Sequence, residues 1–224
     1  MRGGPASDDL LGEAVYKQLL ERIFTGQLSP GAPLSVPALA TDLEVSRSPV
    51  RDAVQRLVAG GLAVHVPHAG ARVAEISEDD VDDVFIVREL LDGRAARDAA
   101  ARASAADVRS LLAMVQTQSD RLASPADPLA EARFDLDFHT AVRDLAGNAV
   151  LSDVLHQLDV RAHLYNSGLW SDQRGRELAV CEHRAIVEAI EAGDVVAADR
   201  AAAGHVAALR VRMRRLSRQN GIGS

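Results

Sequence analysis

Cysteine is nearly absent from this 224-residue chain, and long apolar runs are absent altogether. The single cysteine, Cys181, excludes an internal disulfide framework and favours a reducing compartment. We expect it to be a small buried hydrophobic residue rather than a metal ligand. No apolar run approaches the ~18 residues that a membrane helix needs, and the start of the chain lacks the charged-then-apolar order of a signal peptide. The sequence thus predicts a cytoplasmic protein with no membrane segment.

Aromatic residues are also scarce, at 3% of the chain, whereas alanine is abundant. Aromatic side chains are typical of strands, and small side chains allow helices to pack closely. The hydrophobic content of 47% is ordinary for a globular protein. The composition therefore favours a mainly α fold.

Basic residues are fewer than acidic ones, which gives the chain a formal net charge of -7. The first 76 residues hold 7 basic and 8 acidic residues, out of 25 and 32 in the whole chain. The acidic excess therefore lies in the remainder. This balance argues against indiscriminate nucleic-acid binding, which needs a basic domain, but it permits a local basic face.

Three helices and a hairpin fit the first segment of the chain. The helical pattern of LLGEAVYKQLLERIFTG ends at Gly26, and SVPALATDL is typical of a short helix with Ser35 as its N-cap. A break at Glu44 and Val45 precedes a third helix in SRSPVRDAVQRL. In GGLAVHVPHAGARVAEI, β-branched residues flank the turn PHAG and predict a two-stranded hairpin. This order predicts a winged helix-turn-helix domain over residues 8–76.

The rest of the chain shows only helical periodicity. A linker near Ser77 to Asp79 separates it from the first domain. Breaks at Ser104, within ASPADP and around SDQRG are among those that define about six helices. Short connections between helices are typical of bundles. We therefore expect an all-α bundle over residues 80–219.

The third helix concentrates arginine on one side. Val50, Val54 and Leu57 recur at helical spacing on the side that faces the preceding helices. Another side carries Arg47 and Arg51. Ser46 or Ser48 can cap the first turn. Guanidinium, hydroxyl and free backbone N–H groups at a helix N-terminus are the groups that contact phosphates and guanine edges in the major groove.

The alternative is an ordinary solvated helix face, which is a frequent position for arginine at this spacing. The following hairpin favours the DNA-binding interpretation. In winged domains the hairpin tip lies beside the groove, and here it offers His68, Gly70 and Arg72. His65 and His68 can equally be surface histidines without a special role.

The stretch from LLERIFTG to HAGARV resembles the N-terminal domain of GntR-type bacterial transcription regulators, with VSRSPVRDAVQRL as its most specific part. Downstream, VRELLDGRAARDAA, FDLDFHTAVRDLAGN and EHRAIVEAIEAGD resemble the helical effector domain of the FadR subgroup, the FCD domain. About six helices in that domain, rather than seven, resemble the VanR branch. The resemblance covers the chain from about residue 10 to 216.

The resemblance implies a homodimer that binds a short palindromic operator in double-stranded DNA, under the control of a small molecule in the helical domain. It implies that Arg47 and Arg51 touch DNA, with Ser46 and the wing residue Gly70 beside them. We add Ser48 and His68 as candidate DNA contacts. Some relatives carry a further arginine where this chain has Pro37, so the operator sequence cannot be transferred.

A metal site in the helical domain is suggested by four residues. Asp135 and His139 are four apart and share a helix face, while His183 and His205 fall in the last two predicted helices. From spacing alone, such histidines are more often ordinary core or surface residues. The resemblance implies that all four bind a divalent ion. Zinc is the favoured ion, with nickel or manganese as alternatives.

The effector is expected to be a small organic acid bound beside this ion. The family places an arginine such as Arg88 at the cavity, where a guanidinium can hold a carboxylate in a bidentate pair. The alternative is a surface salt bridge between Arg88 and a nearby acidic residue. Arg161, Tyr165 and Asn166 are further candidates for the pocket lining.

Three functions are compatible with these residues. The first is a transcription regulator that responds to a carboxylate held with a divalent metal. In the second, the ion itself is the effector. The third, a metallohydrolase, is disfavoured because the chain has no HExxH motif and an enzyme has no use for a DNA-binding domain.

Overall fold

The computed structural model describes residues 5–67, 69–75, 77–165 and 169–219. The chain divides into two compact units, Met1–Ser77 and Glu78–Ser224. The described residues are mainly helical, with a single antiparallel hairpin among them, so the predicted fold class is confirmed.

Three helices and the hairpin build the first unit. They are α1 (Pro5–Phe24), α2 (Val36–Asp42), α3 (Arg47–Ala59), β1 (Ala63–Val66) and β2 (Gly70–Val73). The apolar faces predicted for α1 and α3 both enter the core, because Val15, Leu19, Val50 and Leu57 are all buried. The two helices pack against one another, and α3 also packs against the short α2.

The hairpin pairs Ala63 with Val73 at one end and Val66 with Gly70 at the other. Gly70 has a φ of 82°, a left-handed conformation that glycine adopts without steric cost, so it suits the end of the turn. The segment before α2 continues the sheet, because the Leu34 amide donates to the Ala71 carbonyl at 2.8 Å. The wing is thereby fixed to the body of the unit.

Six α-helices and one 3₁₀ turn are described in the second unit. They are α4 (Glu78–Ala100), α5 (Ala105–Arg121), α6 (Pro128–Leu145), α7 (Ala149–Tyr165), the 3₁₀ turn Leu169–Ser171, α8 (Gln173–Glu191) and α9 (Val195–Gln219). The predicted linker was placed too far along the chain. Helix α4 already begins at Glu78 and includes Asp79, and acidic residues in a first turn stabilise a helix N-terminus.

The bundle core is aliphatic and rich in alanine. Helix α4 packs most extensively against α9, and α8 lies between α9 and α5. Close packing of α4 and α9 is visible at Gly93, where an added Cβ would stand 3.1 Å from the Asp199 carbonyl oxygen. Small residues therefore set the distance between these helices. In the described part of the chain, no helix is long and apolar enough to cross a membrane.

Candidate metal centre and nucleic-acid interface

Four side chains converge inside the second unit. Asp135 and His139 lie one turn apart on α6, His183 comes from α8, and His205 comes from α9. Each offers one ligand atom, and the four atoms lie within 4.8 Å of one another. All four residues are buried. The bundle thus brings together, from three helices, the residues that the sequence suggested as metal ligands.

The distances between these atoms suit a tetrahedral ion. Nε2 of His139 lies 3.2 Å from Nε2 of His205 and 3.6 Å from Asp135 Oδ2, and His183 Nε2 lies 3.4 Å from Asp135 Oδ1. Ligands about 2.0–2.1 Å from a central zinc ion are about 3.3–3.4 Å from each other. These three distances are close to tetrahedral spacing, whereas the full set of four atoms extends to 4.8 Å and must contract around a bound ion.

Two further side chains orient the imidazoles. His183 Nδ1 lies 2.8 Å from Gln118 Oε1, and His205 Nδ1 lies 2.8 Å from Glu182 Oε2. An amide or carboxylate oxygen accepts, so each Nδ1 donates its proton and each Nε2 presents a lone pair to the centre. Sequence reasoning missed both orienting residues.

Burial keeps the imidazoles in the form that binds metal. It lowers the pKa of His139 well below its ordinary value and the pKa of His183 to about 3, despite the opposing effect of Asp135. Both rings are therefore neutral at physiological pH. The Phe138 ring stacks on the His183 ring with 4.0 Å between centroids, which restricts the rotation of His183.

The partner of His205 is itself anchored. Both carboxylate oxygens of Glu182 accept from Arg212, each at 2.7 Å. Burial alone would raise the pKa of Glu182, but the hydrogen bonds from Arg212 and His205 outweigh it and lower this pKa to about 2. Glu182 is thus a fixed acceptor for His205.

Arg88 forms salt bridges with nearby acidic residues, as the alternative interpretation expected, but it does so in the interior and not at the surface. Its side chain is 1% exposed, with Nη2 2.8 Å from Asp159 Oδ1 and Nε 3.3 Å from Asp92 Oδ2. Asp159 also pairs with the buried Arg143. Burial raises the pKa of Asp92 to about 6, although Arg88 opposes the shift. Helical periodicity shows which residues share a face of a helix. How deeply that face is buried depends on the helices that pack against it, which the sequence pattern does not reveal.

A small cavity adjoins the four converging residues. It offers about 10 Å³ to the centre of a water-sized sphere, which is about the space of one water. Its lining consists of Phe85, Arg88, Asp135, Ala162, Leu169, Trp170, Leu209 and Met213. Arg88 and a predicted metal ligand therefore meet in one recess.

The other predicted effector contacts are not found in this lining. Arg161 is half-buried on α7, but its neighbour Ala162 lines the cavity instead. Asn166 lies outside the described residues, as does the side chain of Tyr165. Cys181 is exposed, against the prediction of a buried thiol. The buried face of α8 carries Ala179 and His183, from which Cys181 is turned away by about 200°.

In the first unit, the predicted DNA contacts share an exposed surface. Ser46, Arg47, Ser48 and Arg51 are all exposed at the start of α3, while the opposite side of the helix is buried. Ser46 occupies the N-cap position, but its hydroxyl makes no capping hydrogen bond, so the predicted serine cap does not form there. Because no side chain caps this helix start, its backbone N–H groups face outward.

A groove of about 360 Å³ separates the start of α3 from the wing. Arg51 and Gln55 line one side, and His65 and Gly70 line the other. Arg72, predicted at the wing tip, donates from Nη1 to the Gly31 carbonyl oxygen at 3.0 Å and is held against the segment before α2. His68 lies outside the described residues.

Comparisons with known families cover both units. Residues 11–73 match the family described as bacterial regulatory proteins, gntR family, and residues 83–208 match the FCD domain. Among curated proteins, a probable D-xylose utilization operon transcriptional repressor of Paenarthrobacter nicotinovorans is 32% identical over 192 residues, covering 85% of this chain and 83% of that protein. The HTH-type transcriptional repressor RspR of Escherichia coli K12 is 25% identical, covering 94% of this chain and 92% of its own.

Among solved structures, E. coli McbR/YncC superposes with a TM-score of 0.75 at 22% identity, covering 91% of this chain and 98% of that one. A GntR protein of Streptococcus agalactiae is 25% identical, with a TM-score of 0.52, and covers 90% of this chain and 99% of that one. The likeness to McbR/YncC concerns the fold alone.

Proposed function

The chain belongs to the GntR family of bacterial regulatory proteins, carries an FCD domain and is a DNA-binding transcription regulator; on that premise, we propose that a small carboxylate, bound with a divalent metal in the second unit, controls its affinity for an operator. The family and the relatives are transcription regulators, so the chain is not an enzyme. We further propose that it acts in the cytoplasm as a homodimer on a palindromic site, because a two-fold protein matches two-fold DNA.

The convergence of Asp135, His139, His183 and His205 is the observation that carries this proposal. Three imidazole nitrogens and one carboxylate oxygen are a donor set that suits zinc, with nickel or manganese as alternatives. A bound ion would supply a Lewis-acidic position for a ligand oxygen. This chain supplies the rest: Gln118 and Glu182 hold the imidazoles, and Arg88 reaches the same cavity with its guanidinium.

DNA binding is assigned to the exposed start of α3 and the wing. Arg47 and Arg51 can pair with phosphates or guanine edges, and Ser46, Ser48, His68 and Gly70 stand in the adjoining positions of the sequence. The groove between Arg51 and Gly70 supports this assignment, since a recognition helix and a wing contact DNA on the same side. A ligand can alter operator affinity only if it binds one arrangement of the dimer better than another.

The metal assignment is tested by measuring bound metal and zinc affinity in purified full-length protein. His183→Ala should remove most zinc binding, because the ion then keeps only three of its four bonds to the protein. His156→Ala, an exposed histidine on α7 in the same unit, is the control and should bind zinc as the wild type does. Equal zinc affinity in the two variants would reject the site.

The DNA assignment is tested with duplexes that the wild-type protein selects from a random pool. Arg51→Ala should weaken specific binding about 5- to 150-fold, the loss of about 1–3 kcal/mol that follows removal of one base-reading pair. Arg94→Ala removes an exposed arginine from α4 and should leave the affinity unchanged. Zinc content should be the same in both variants, and an unaltered affinity of Arg51→Ala would remove α3 from the interface.

A further inference from the structure

The groove between α3 and the wing contains an amide that the first unit does not use. Gln55 lines this groove one helical turn beyond Arg51, and both side chains are exposed. In the described part of the chain, neither of these two side chains has a hydrogen-bond or ion-pair partner. On the wing side, His65 is engaged, because its Nδ1 donates to the Gly70 carbonyl oxygen at 3.3 Å. The amide of Gln55 is therefore available to a molecule outside the chain.

A glutamine amide matches one base in the major groove. Its oxygen accepts from N6 of adenine and its nitrogen donates to N7, so the contact is bidentate and distinguishes adenine from the other bases. The guanidinium of Arg51 matches guanine in the same way, through O6 and N7. Helix α3 thus presents, in order along one exposed side, a group for guanine and a group for adenine.

The spacing of Arg51 and Gln55 limits the position of that adenine. Residues four apart are separated by about 6 Å along a helix axis. Consecutive base pairs are separated by about 3.4 Å along the duplex. The two side chains therefore reach base pairs that are no more than two steps apart, within one half-site.

Apolar side chains form much of the remaining accessible lining of the groove. Val36 and Pro37 at the start of α2 and Ala69 on the wing are all at least partly exposed there. Such surface favours the C5 methyl group of thymine, which lies in the major groove beside the edge of its paired adenine. A phosphate, the other DNA group that an amide can contact, gains nothing from apolar surface. The lining therefore matches both members of an A·T pair.

We propose that Gln55 is a base-reading residue of this regulator, and that it selects an A·T pair within two steps of the pair read by Arg51, with the thymine methyl group against the apolar lining of the groove. The inference rests on the proposed assignment of α3 and the wing to DNA. It adds one position of the operator to that assignment.

Affinity measurements on duplexes that the wild-type full-length protein selects from a random pool test this proposal. At one position of a half-site, A·T should be preferred over G·C by about 5- to 150-fold, the discrimination of one bidentate contact. Gln55→Ala should abolish the preference at that position alone, and alanine favours the helix, so α3 should stay folded. Gln18→Ala, which removes an exposed glutamine of α1 that does not line the groove, is the control and should keep the preference. A loss of affinity that is equal for all sequences would identify a phosphate contact and overturn the inference.

A change of specificity distinguishes base reading from an indirect effect on α3. A carboxylate accepts from N4 of cytosine. Gln55→Glu should therefore move the preferred base at that position from adenine to cytosine, as measured by the ratio of the two affinities. A retained preference for adenine in this variant would show that Gln55 does not read the base.

The methyl contact is tested on the DNA side. Uracil in place of the selected thymine removes only the methyl group and should weaken binding of the wild-type protein about fourfold, the effect of withdrawing one such group from apolar surface. Uracil in place of a thymine outside both half-sites is the control and should not change the affinity. Equal affinities of the two modified duplexes would overturn the methyl contact.

Failure of the proposed interface gives a different result from failure of this inference. If Arg51→Ala and Gln55→Ala both bind the selected duplexes as the wild type does, α3 does not contact DNA, and the interface and the inference fall together. If Arg51→Ala loses specific binding while Gln55→Ala keeps the full A·T preference, the interface stands and only the inference is overturned.

Discussion

Gln118 illustrates how one uncharged side chain can determine the behaviour of a buried site. Its amide oxygen accepts from Nδ1 of His183 and thereby directs the Nε2 lone pair toward the other three ligands. Burial makes this hydrogen bond important, because neither Gln118 nor His183 can exchange its partner for bulk water. Glu182 has the same role for His205.

Replacing Gln118 with leucine should lower zinc affinity about 10- to 100-fold, the usual effect of losing an outer hydrogen-bond partner of a metal ligand. The measurement is competition with a chelator of known affinity. The control is Gln116→Leu on the same helix, whose exposed amide donates to Asp120 at the surface. If the two variants bind zinc equally well, Gln118 does not position the ligand.

The sequence allowed only part of this site to be predicted. Asp135 and His139 could be paired from spacing, because one helix carries both. His183 and His205 came from the family resemblance, since residues on different helices have no spacing rule that brings them together. Gln118 could not be found, because a glutamine in a helix has no distinctive pattern and its burial depends on the packing of α5 against α8.

At the scale of elements, helix α5 has the clearest local start signal. The Ser104 hydroxyl accepts from the Asp107 amide at 3.3 Å, and the Asp107 carboxylate accepts from the Ser104 amide at 2.9 Å. This reciprocal capping box satisfies two backbone donors that the helix leaves without intrahelical partners.

Ser104→Ala should therefore destabilise the second unit by about 1 kcal/mol, the typical cost of losing an N-cap. Urea denaturation of the full-length protein, followed through the transition that includes the single tryptophan Trp170, measures the change. Ser110→Ala is the control: this exposed serine lies on the same helix and its hydroxyl donates to the Ala106 carbonyl of the preceding turn. An equal effect of the two substitutions would show that the capping box contributes nothing specific.

Some boundaries of helices were predicted correctly from the sequence, and others were not. The break at Glu44 and Val45 was correctly expected, but Glu44 adopts a φ of 54°, which the sequence does not reveal because only glycine signals such a conformation. The start of α4 was placed late because no glycine or proline separates it from Ser77. The branch of the FCD family suggested by six helices stays a prediction.

At the scale of the whole molecule, metal should act on stability and on DNA binding in separable ways. Zinc at 100 times its dissociation constant should stabilise the protein by about 2.7 kcal/mol if it binds only the native state. Thermal denaturation of chelated and refilled full-length protein measures this gain. His183→Ala should show no gain, and an equal gain in that variant would assign the effect to another site.

Operator affinity of the same samples distinguishes a metal cofactor from a metal signal. With the ion as cofactor, refilling with zinc alone should change the affinity little, and addition of a carboxylate should then change it by a factor of about 5 to 150, the usual range of coupling between sites. If zinc alone produces the full change, the ion is the effector.

The pairing of α4 with α9 has a consequence for biosynthesis. The first and last helices of the second unit are each other's most extensive neighbours, although α4 ends at Ala100 and α9 ends at Gln219. At about 5–20 residues per second, a ribosome adds the intervening segment in roughly 6–24 s. Until α9 is complete, the side of α4 that packs against α9 has no permanent cover, although α6 and α7 can already pack against α4, whereas the winged unit already has all of its strands and helices. Premature termination within α9 should therefore yield chains that can still fold their winged unit but that aggregate through α4.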